Sequence, residues 1–243
     1  MIGFASPMFG KGDGAPPPPV GPIDPATLFT GGILGAYYDF TDGTSLAVNA
    51  DGTGGVPAIG AACRSALDKS PNSNRLRNTV SSVIRRSNGL ETDGANYGLF
   101  NFAGFGNWPN IVQPVEIVAS MELLATETVD ERIIGSGGIS LLAGTAGGKL
   151  RGFAGAYGTE FSPGLATEFV IDLLFDPLDP LAGINTGTPS ASASPGNNSL
   201  SSLCLGSDTG GNSATRVRFK HLLVIARALT ASERAGVVQW MQA

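Results

Sequence analysis

The chain has 243 residues, a formal net charge of −5, and charged side chains at only 14% of its positions, against roughly 25% in typical soluble domains. Its 15 lysines and arginines form no long basic run, which argues against nucleic-acid binding. With 2 cysteines and 1 histidine, a zinc site is not expected. Cys63 and Cys204 are predicted to be two buried free thiols, with a single long-range disulfide as the alternative.

So few charges leave part of the surface weakly polar or apolar. Such surface is more stable when it packs against a partner than in water. We therefore expect the chain to work in an assembly, as a homo-oligomer or with other subunits. A Ser/Thr/Gly-rich exterior that needs no partner is the alternative.

Residues 1–32 are predicted to form an extended N-terminal arm. The stretch GAPPPPVGPIDP (14–25) favours an extended polyproline conformation, because proline lacks the backbone donor and fixes φ. The segment ahead of it is either a disordered tail or a docking arm for another subunit. Its apolar side chains, the candidates for docking, are Ile2, Phe4, Met8 and Phe9. This N-terminus lacks the features of a secretion signal, and no apolar run is long enough to insert into a membrane.

From residue 33 onward the sequence predicts short β-strands. In VEIVASMEL (115–123) and EFVIDLLF (168–175), apolar residues alternate with Glu, Ser and Asp. This period of two is typical of antiparallel strands with one face in a core. We expect the polar face, with Glu116, Glu122 and Asp172, to be solvated. The sequence therefore predicts one all-β, antiparallel β-sandwich domain over residues 33–243.

The end of the chain predicts a strand followed by a short helix. RVRFKHLLVIA (216–226) is expected to place His221 on the apolar face with Val217, Phe219, Leu223 and Ile225, as a core or near-core histidine. TASE (230–233) has the pattern of a capping box. The following helix would pack its apolar residues Val237, Trp240 and Met241 on the domain.

Three segments resemble the concanavalin A-like lectin/laminin-G-like jelly rolls. VIARALTASE (224–233) is similar to the family's "Y-x-R-A-L-S-x-x-E", and ALDKSPNSN (66–74) to its "D-x-S-G-N-G-N", with Pro71 for a glycine. GLETDGANYGLF (89–100) is similar to "G-L-x-F-D-G-x-D-D-Y-L", with Thr92 for an aromatic residue. The resemblance implies a jelly-roll sandwich. The opening AYYDFTDGTSL is similar to jelly-roll domains of bacteriophage structural proteins, which implies a virion location.

No catalytic residue is predicted. Jelly rolls of this superfamily include glycosidases, which need two carboxyl groups close together. Glu116 and Glu122 are six residues apart, roughly 20 Å along a strand, and Glu168 and Asp172 are also too far apart. The absence of a suitable pair argues against a glycoside hydrolase.

Calcium is a further possibility that the resemblance implies, with Asp68 and Asp93 as candidate ligands. The residues alone favour another role for these aspartates, since no dense acidic loop is present. We expect them to cap loops with Asx-type hydrogen bonds, and we expect no cofactor.

A candidate sugar-binding patch lies in and beside NFAGFGNWPN (101–110). Aromatic faces beside amide groups offer the apolar contact and oriented hydrogen bonds that a glycan requires. Packing of these aromatics in the core is the alternative. The candidate residues are Tyr97, Phe105, Asn107, Trp108 and Asn110.

Two functions of different classes fit these observations. One is a non-enzymatic virion component, on a tail tip, fibre, capsid or neck, which binds other virion proteins through its arm and displays a lectin-like domain for host-surface glycans. The other is a free carbohydrate-binding module, which explains the fold but not the arm.

Overall fold

The computed structural model describes residues 21–78, 83–94, 98–102, 108–125, 131–135, 138–143, 149–207 and 214–243. These residues form 17 strands and one α-helix, with short 3-10 turns at Pro25–Leu28, Thr30–Gly32 and Gly43–Ser45. The strands are β1 (Gly35–Asp39), β2 (Leu46–Ala47), β3 (Ser65–Ala66), β4 (Leu76–Arg77), β5 (Val83–Arg86), β6 (Gly89–Thr92), β7 (Leu99–Phe102), β8 (Val115–Ala125), β9 (Glu131–Gly135), β10 (Ser140–Ala143), β11 (Leu150–Phe153), β12 (Tyr157–Phe161), β13 (Glu168–Phe175), β14 (Leu181–Ile184), β15 (Ser190–Ala191), β16 (Ser202–Leu205) and β17 (Arg216–Ile225). The helix is α1 (Ala231–Met241).

The strands form two antiparallel sheets. The front sheet has the order β15-β14-β13-β8-β17-β6-β5, with β1 also paired to β17, and the back sheet has the order β12-β11-β10-β9-β16-β7-β4-β3-β2. Buried apolar side chains from both sheets form one continuous core. The predicted all-β sandwich is therefore confirmed.

The predicted alternation holds in β8 and β13. Val115, Ile117, Ala119, Met121 and Leu123 face the core, as do Phe169, Ile171, Leu173 and Phe175. Cys63 and Cys204 are free and buried, as predicted.

In β17 the predicted alternation is wrong beyond Phe219. The register with β8 shifts between Phe219 and His221, and such a bulge moves the following side chains to the other face. Val217 and Phe219 face the core between the sheets, but Leu223 and Ile225 belong to a second cluster under the helix.

That second cluster lies between helix α1 and the outer face of the front sheet. Val237, Val238 and Met241 pack there on Val118 and Leu223, and Trp240 is partly buried beside them. The predicted packing of Val237, Trp240 and Met241 on the domain is thus confirmed. The predicted capping box is also present: the Glu233 N–H donates to the Thr230 hydroxyl at 3.2 Å, and the Thr230 N–H donates to the Glu233 carboxylate at 2.8 Å.

The predicted boundary of the arm at residue 32 is too late. Leu28 and Phe29 are buried in the cluster under the helix, and the Ile23 N–H donates to the Gly236 carbonyl at 2.9 Å. The segment from Ile23 therefore belongs to the domain. Residues 1–20, with Ile2, Phe4, Met8 and Phe9, lie outside the described residues. Among those described, no helix has the length and apolar character needed to cross a bilayer.

Candidate functional site

The outer face of the front sheet is divided into a covered half and an open half. Cross-strand register places Tyr37, Leu223, Val118 and Asp172 in one row, which the helix covers. Two rows away, Glu122 lies opposite both Arg218 and Glu168, and Arg218 lies opposite Glu91. This second row is charged and is not covered by the helix.

A cleft of about 410 Å³ opens beside the charged row. It lies where β5, β6 and the start of β17 meet the end of β8 and the start of β9. Its volume falls within the roughly 300–1,000 Å³ of small-molecule sites. We call it the arginine-lined cleft, and its lining residues are Ile84, Arg86, Glu91, Thr92, Asp93, Gly94, Ala125, Glu131, Ala214 and Arg216.

Glu91 is the centre of the charge network at this cleft. Arg86 donates to its two carboxylate oxygens at 2.8 and 3.1 Å, and Arg216 donates to Oε1 at 2.8 and 3.2 Å. Arg218 donates to Oε2 at 2.9 Å. Partial burial acts to raise the pKa of Glu91, but the hydrogen bonds from the arginines outweigh it and hold the pKa at about 2. Glu91 therefore stays ionised at neutral pH and is no proton donor.

The network continues across the sheet. Arg218 also donates to Glu122 at 2.6 Å, and Lys220 pairs with Glu168 at 2.7 Å. Glu122 and Glu168 are thus engaged in ion pairs.

The expectation that Glu116 and Asp172 are solvated is wrong. Both are buried under helix α1, where Arg234 donates to Glu116 at 2.6 and 3.0 Å and its Nε lies 3.0 Å from Asp172 Oδ2. The Leu229 N–H also donates to Glu116, at 2.5 Å. Burial, reinforced by the charge of Glu116, raises the pKa of Asp172 well above its usual value. The strand pattern could not reveal that a helix covers this part of the polar face.

A serine, a histidine and an aspartate lie in one row of the front sheet. Ser120 is directly opposite His221, which is opposite Asp39, and His221 Nδ1 lies 3.5 Å from Asp39 Oδ1. The Ser120 hydroxyl is buried and has no hydrogen-bond partner among the described residues. Acyl transfer needs a serine that is bonded to its base and open to substrate. This row lacks both features, and the Trp240 ring packs on His221 at 4.8 Å.

The predicted aromatic patch is only partly within the described residues. Trp108 is 4% exposed in the core, and its Nε1 donates to the Leu200 carbonyl at 3.3 Å. Its indole is therefore packed in the core, which was the alternative interpretation, and does not form an exposed platform for a sugar. Asn110 is exposed, whereas Tyr97, Phe105 and Asn107 lie outside the described residues.

Asp68 caps its loop, as predicted. Its carboxylate accepts from the N–H groups of Ser70, Asn74 and Tyr37 at 2.8 to 2.9 Å, so the loop is fastened to β1. Asp93 is exposed at the rim of the arginine-lined cleft. Among the described residues, no three His, Cys, Asp or Glu side chains are grouped to hold a metal ion.

Apart from Asp93, the residues of the cleft were not singled out from the sequence. Arg86, Glu91 and Arg216 come from three separate segments, and only the register of the strands brings them together. The signal available was the matched stretch 89–100, which contains Glu91 and Asp93.

The fold, but not the sequence, is similar to that of known proteins. No family model and no curated protein matches the chain. A Trypanosoma rangeli sialidase in complex with sialic acid has a TM-score of 0.59 at 15% identity, over 90% of this chain and 35% of the sialidase chain.

The ligand binding domain of botulinum neurotoxin serotype D, in complex with N-acetylneuraminic acid, has a TM-score of 0.52 at 12% identity. That likeness covers 71% of this chain and 47% of the toxin chain. The receptor binding domain of the C/D mosaic serotype gives 0.53 at 12% identity, over 71% and 48%. This chain therefore spans about a third to a half of the chains that it resembles, and it shares their β-sandwich fold.

Proposed function

We propose that this chain is a non-enzymatic carbohydrate-binding β-sandwich domain whose ligand occupies the arginine-lined cleft. The observation that carries the proposal is the cleft itself: an open cavity of about 410 Å³, with the half-exposed guanidinium groups of Arg86 and Arg216 on one wall. Guanidinium groups offer several N–H donors in a fixed plane, which suits the many oxygen acceptors of a sugar. That similar folds occur in structures with bound sialic acid or N-acetylneuraminic acid supports this choice of ligand.

The state of the carboxylates supports binding rather than hydrolysis. Most glycosidases use a carboxylic acid that is still protonated near neutral pH, together with a second carboxylate close by, although sialidases use a tyrosine nucleophile instead of that carboxylate. Glu91 has a pKa of about 2 and is held by three arginines. Asp172 does have a raised pKa, but helix α1 buries it beside Arg234.

Glycan-array binding, followed by calorimetric titration of the best ligand, tests the proposal. We expect the intact chain to bind at least one class of glycan and Arg86→Ala/Arg216→Ala to lose that binding. The matched control is Arg227→Ala. Arg227 also pairs with a carboxylate, that of Glu233, at 2.8 Å. This pair lies near Glu116, at the end of β8 that is roughly 30 Å from the cleft. Binding that survives in the double variant would exclude the cleft, and no binding to any glycan would overturn the function.

A more specific role, display on a virion through residues 1–20, is a second proposal. It is supported by the apolar residues Ile2, Phe4, Met8 and Phe9 and by the low charge of the chain. Cosedimentation with particles in a density gradient tests it. A chain that stays at the top of the gradient would leave a free carbohydrate-binding module as the better description.

A further inference from the structure

We infer that the arginine-lined cleft selects saccharides that carry a carboxylate, and that Arg86 and Arg216 bind this group. The inference rests on the proposed function, because it names the class of ligand for the same site.

The wall of the cleft presents the side chains of Arg86 and Arg216, and not that of Glu91, to a ligand. The Glu91 side chain is only 5% exposed, whereas those of Arg86 and Arg216 are 38% and 51% exposed. Glu91 accepts five N–H contacts, and a carboxylate has about four lone-pair sites. Its capacity as an acceptor is therefore used up. The solvent side of this wall offers guanidinium donors, with the carboxylate beneath them.

Each of these two guanidinium groups keeps an amino group that a ligand can bind. Arg86 and Arg216 each bind Glu91 through Nε and Nη2. These contacts do not require the Nη1 amino group of either residue. Because both Nη2 atoms contact the same Glu91 oxygen, at 3.1 and 2.8 Å, the two guanidinium groups are neighbours. A planar carboxylate is the group that such paired donors bind best, through short charge-assisted hydrogen bonds.

Charge alone does not favour an acid over a neutral sugar at this site. Among the described residues, Arg86, Arg216 and Arg218 pair with Glu91 and Glu122. Two further acidic residues line the cleft: Glu131, which is buried, and Asp93, which is exposed. Both are already engaged in interactions within the protein. Because these groups comprise three arginines and four acidic residues, the selection of a carboxylate rests on the exposed guanidinium donors and not on an excess of positive charge.

The experiment compares sugars that differ only in the acid. Titration calorimetry of the full chain would measure N-acetylneuraminic acid against its methyl ester and glucuronic acid against glucose, for the native protein, Arg216→Gln and the control Arg227→Gln. We expect an acid to bind about tenfold more tightly than its neutral counterpart. Arg216→Gln should remove that difference while Arg227→Gln keeps it. Raising the salt concentration should reduce it, since the arginines are partly exposed.

The outcomes separate this inference from the function on which it rests. Equal binding of the acid and its neutral counterpart, or an acid preference that Arg216→Gln leaves intact, would overturn the inference while the carbohydrate-binding function stands. Binding of none of these sugars, together with a blank glycan array, would overturn both. Thermal unfolding of Arg216→Gln controls for loss of fold. We expect an unchanged melting temperature, because Glu91 keeps Arg86 and Arg218.

Discussion

Glu91 and Asp172 lie on the same outer face of the front sheet, in opposite electrostatic environments. Three arginines surround Glu91 and hold its pKa at about 2. Asp172 is buried beside Glu116 and shares with it the single cation of Arg234, so its pKa is raised. At neutral pH the first carboxylate is therefore charged, whereas burial beside Glu116 favours the protonated form of the second.

The raised pKa of Asp172 makes stability depend on pH. In the unfolded chain this group titrates near its ordinary value of 3.8, so as pH rises past that value the folded state binds more protons than the unfolded state. The stability from this difference is complete at low pH and is lost as pH rises through the folded-state pKa. Asp172→Asn keeps the shape without the titration. We expect the variant to become more stable than the native protein as pH rises from about 4 to 8.

Urea unfolding of the native protein and of Asp172→Asn across this pH range measures the difference. A constant gap between the native protein and Asp172→Asn at every pH would show that Asp172 is ionised in the fold.

At the scale of elements, helix α1 is attached through the buried contacts of Arg234 with Glu116 and Asp172 as well as through apolar packing. Arg234 is the cation that faces Glu116 there, and Glu116 has no exposed surface. Arg234→Met would leave a buried carboxylate without its counterion, which costs about 3–5 kcal/mol of unfolding free energy. The double variant Arg234→Met/Glu116→Gln removes both charges and should recover most of that loss. Equal destabilisation by the single and double variants would show that packing, not charge, is responsible.

The start of the same helix gives a second prediction. Thr230 accepts from the Glu233 N–H, so Thr230→Ala should lower the unfolding free energy by about 1 kcal/mol, the usual loss for an N-cap. Gln239→Ala, on the exposed face of the helix, is the control and should not destabilise the protein. The comparison requires only denaturant unfolding of the three proteins. A native midpoint for Thr230→Ala would argue against the capping box.

The elements that the sequence predicted well are those whose signal is local. Alternation in β8 and the pattern Thr230 to Glu233 each lie within a dozen residues. The bulge in β17 could not be predicted, because Leu222 and Val224 are as apolar as Leu223 and Ile225, so the strand has two apolar faces. The arginine-lined cleft was equally hidden, since Glu91 and Arg216 are 125 positions apart and meet only through the register of β6 and β17.

At the scale of the whole molecule, the domain closes one half of its front sheet with segments from both ends of the described chain. Helix α1 comes from the C-terminal side, and Leu28 and Phe29 come from the N-terminal side. Neither of these segments reaches the arginine-lined cleft, which lies beside the other half of the face.

Two truncations within the predicted arm, one of residues 1–20 and one of residues 1–32, are therefore expected to differ in their effect on stability. Removing residues 1–20 deletes none of the side chains in the described cores, so we expect a folded domain with the melting temperature of the full chain. Removing residues 1–32 also deletes Leu28 and Phe29. Each large apolar side chain contributes about 1.5–3 kcal/mol when fully buried, so this variant should unfold at a clearly lower temperature. Calorimetry of the two truncations beside the full chain makes the comparison. If the shorter deletion also unfolds the domain, residues 1–20 belong to its core and are not an arm. If it stays folded but no longer sediments with particles, residues 1–20 act as the docking segment.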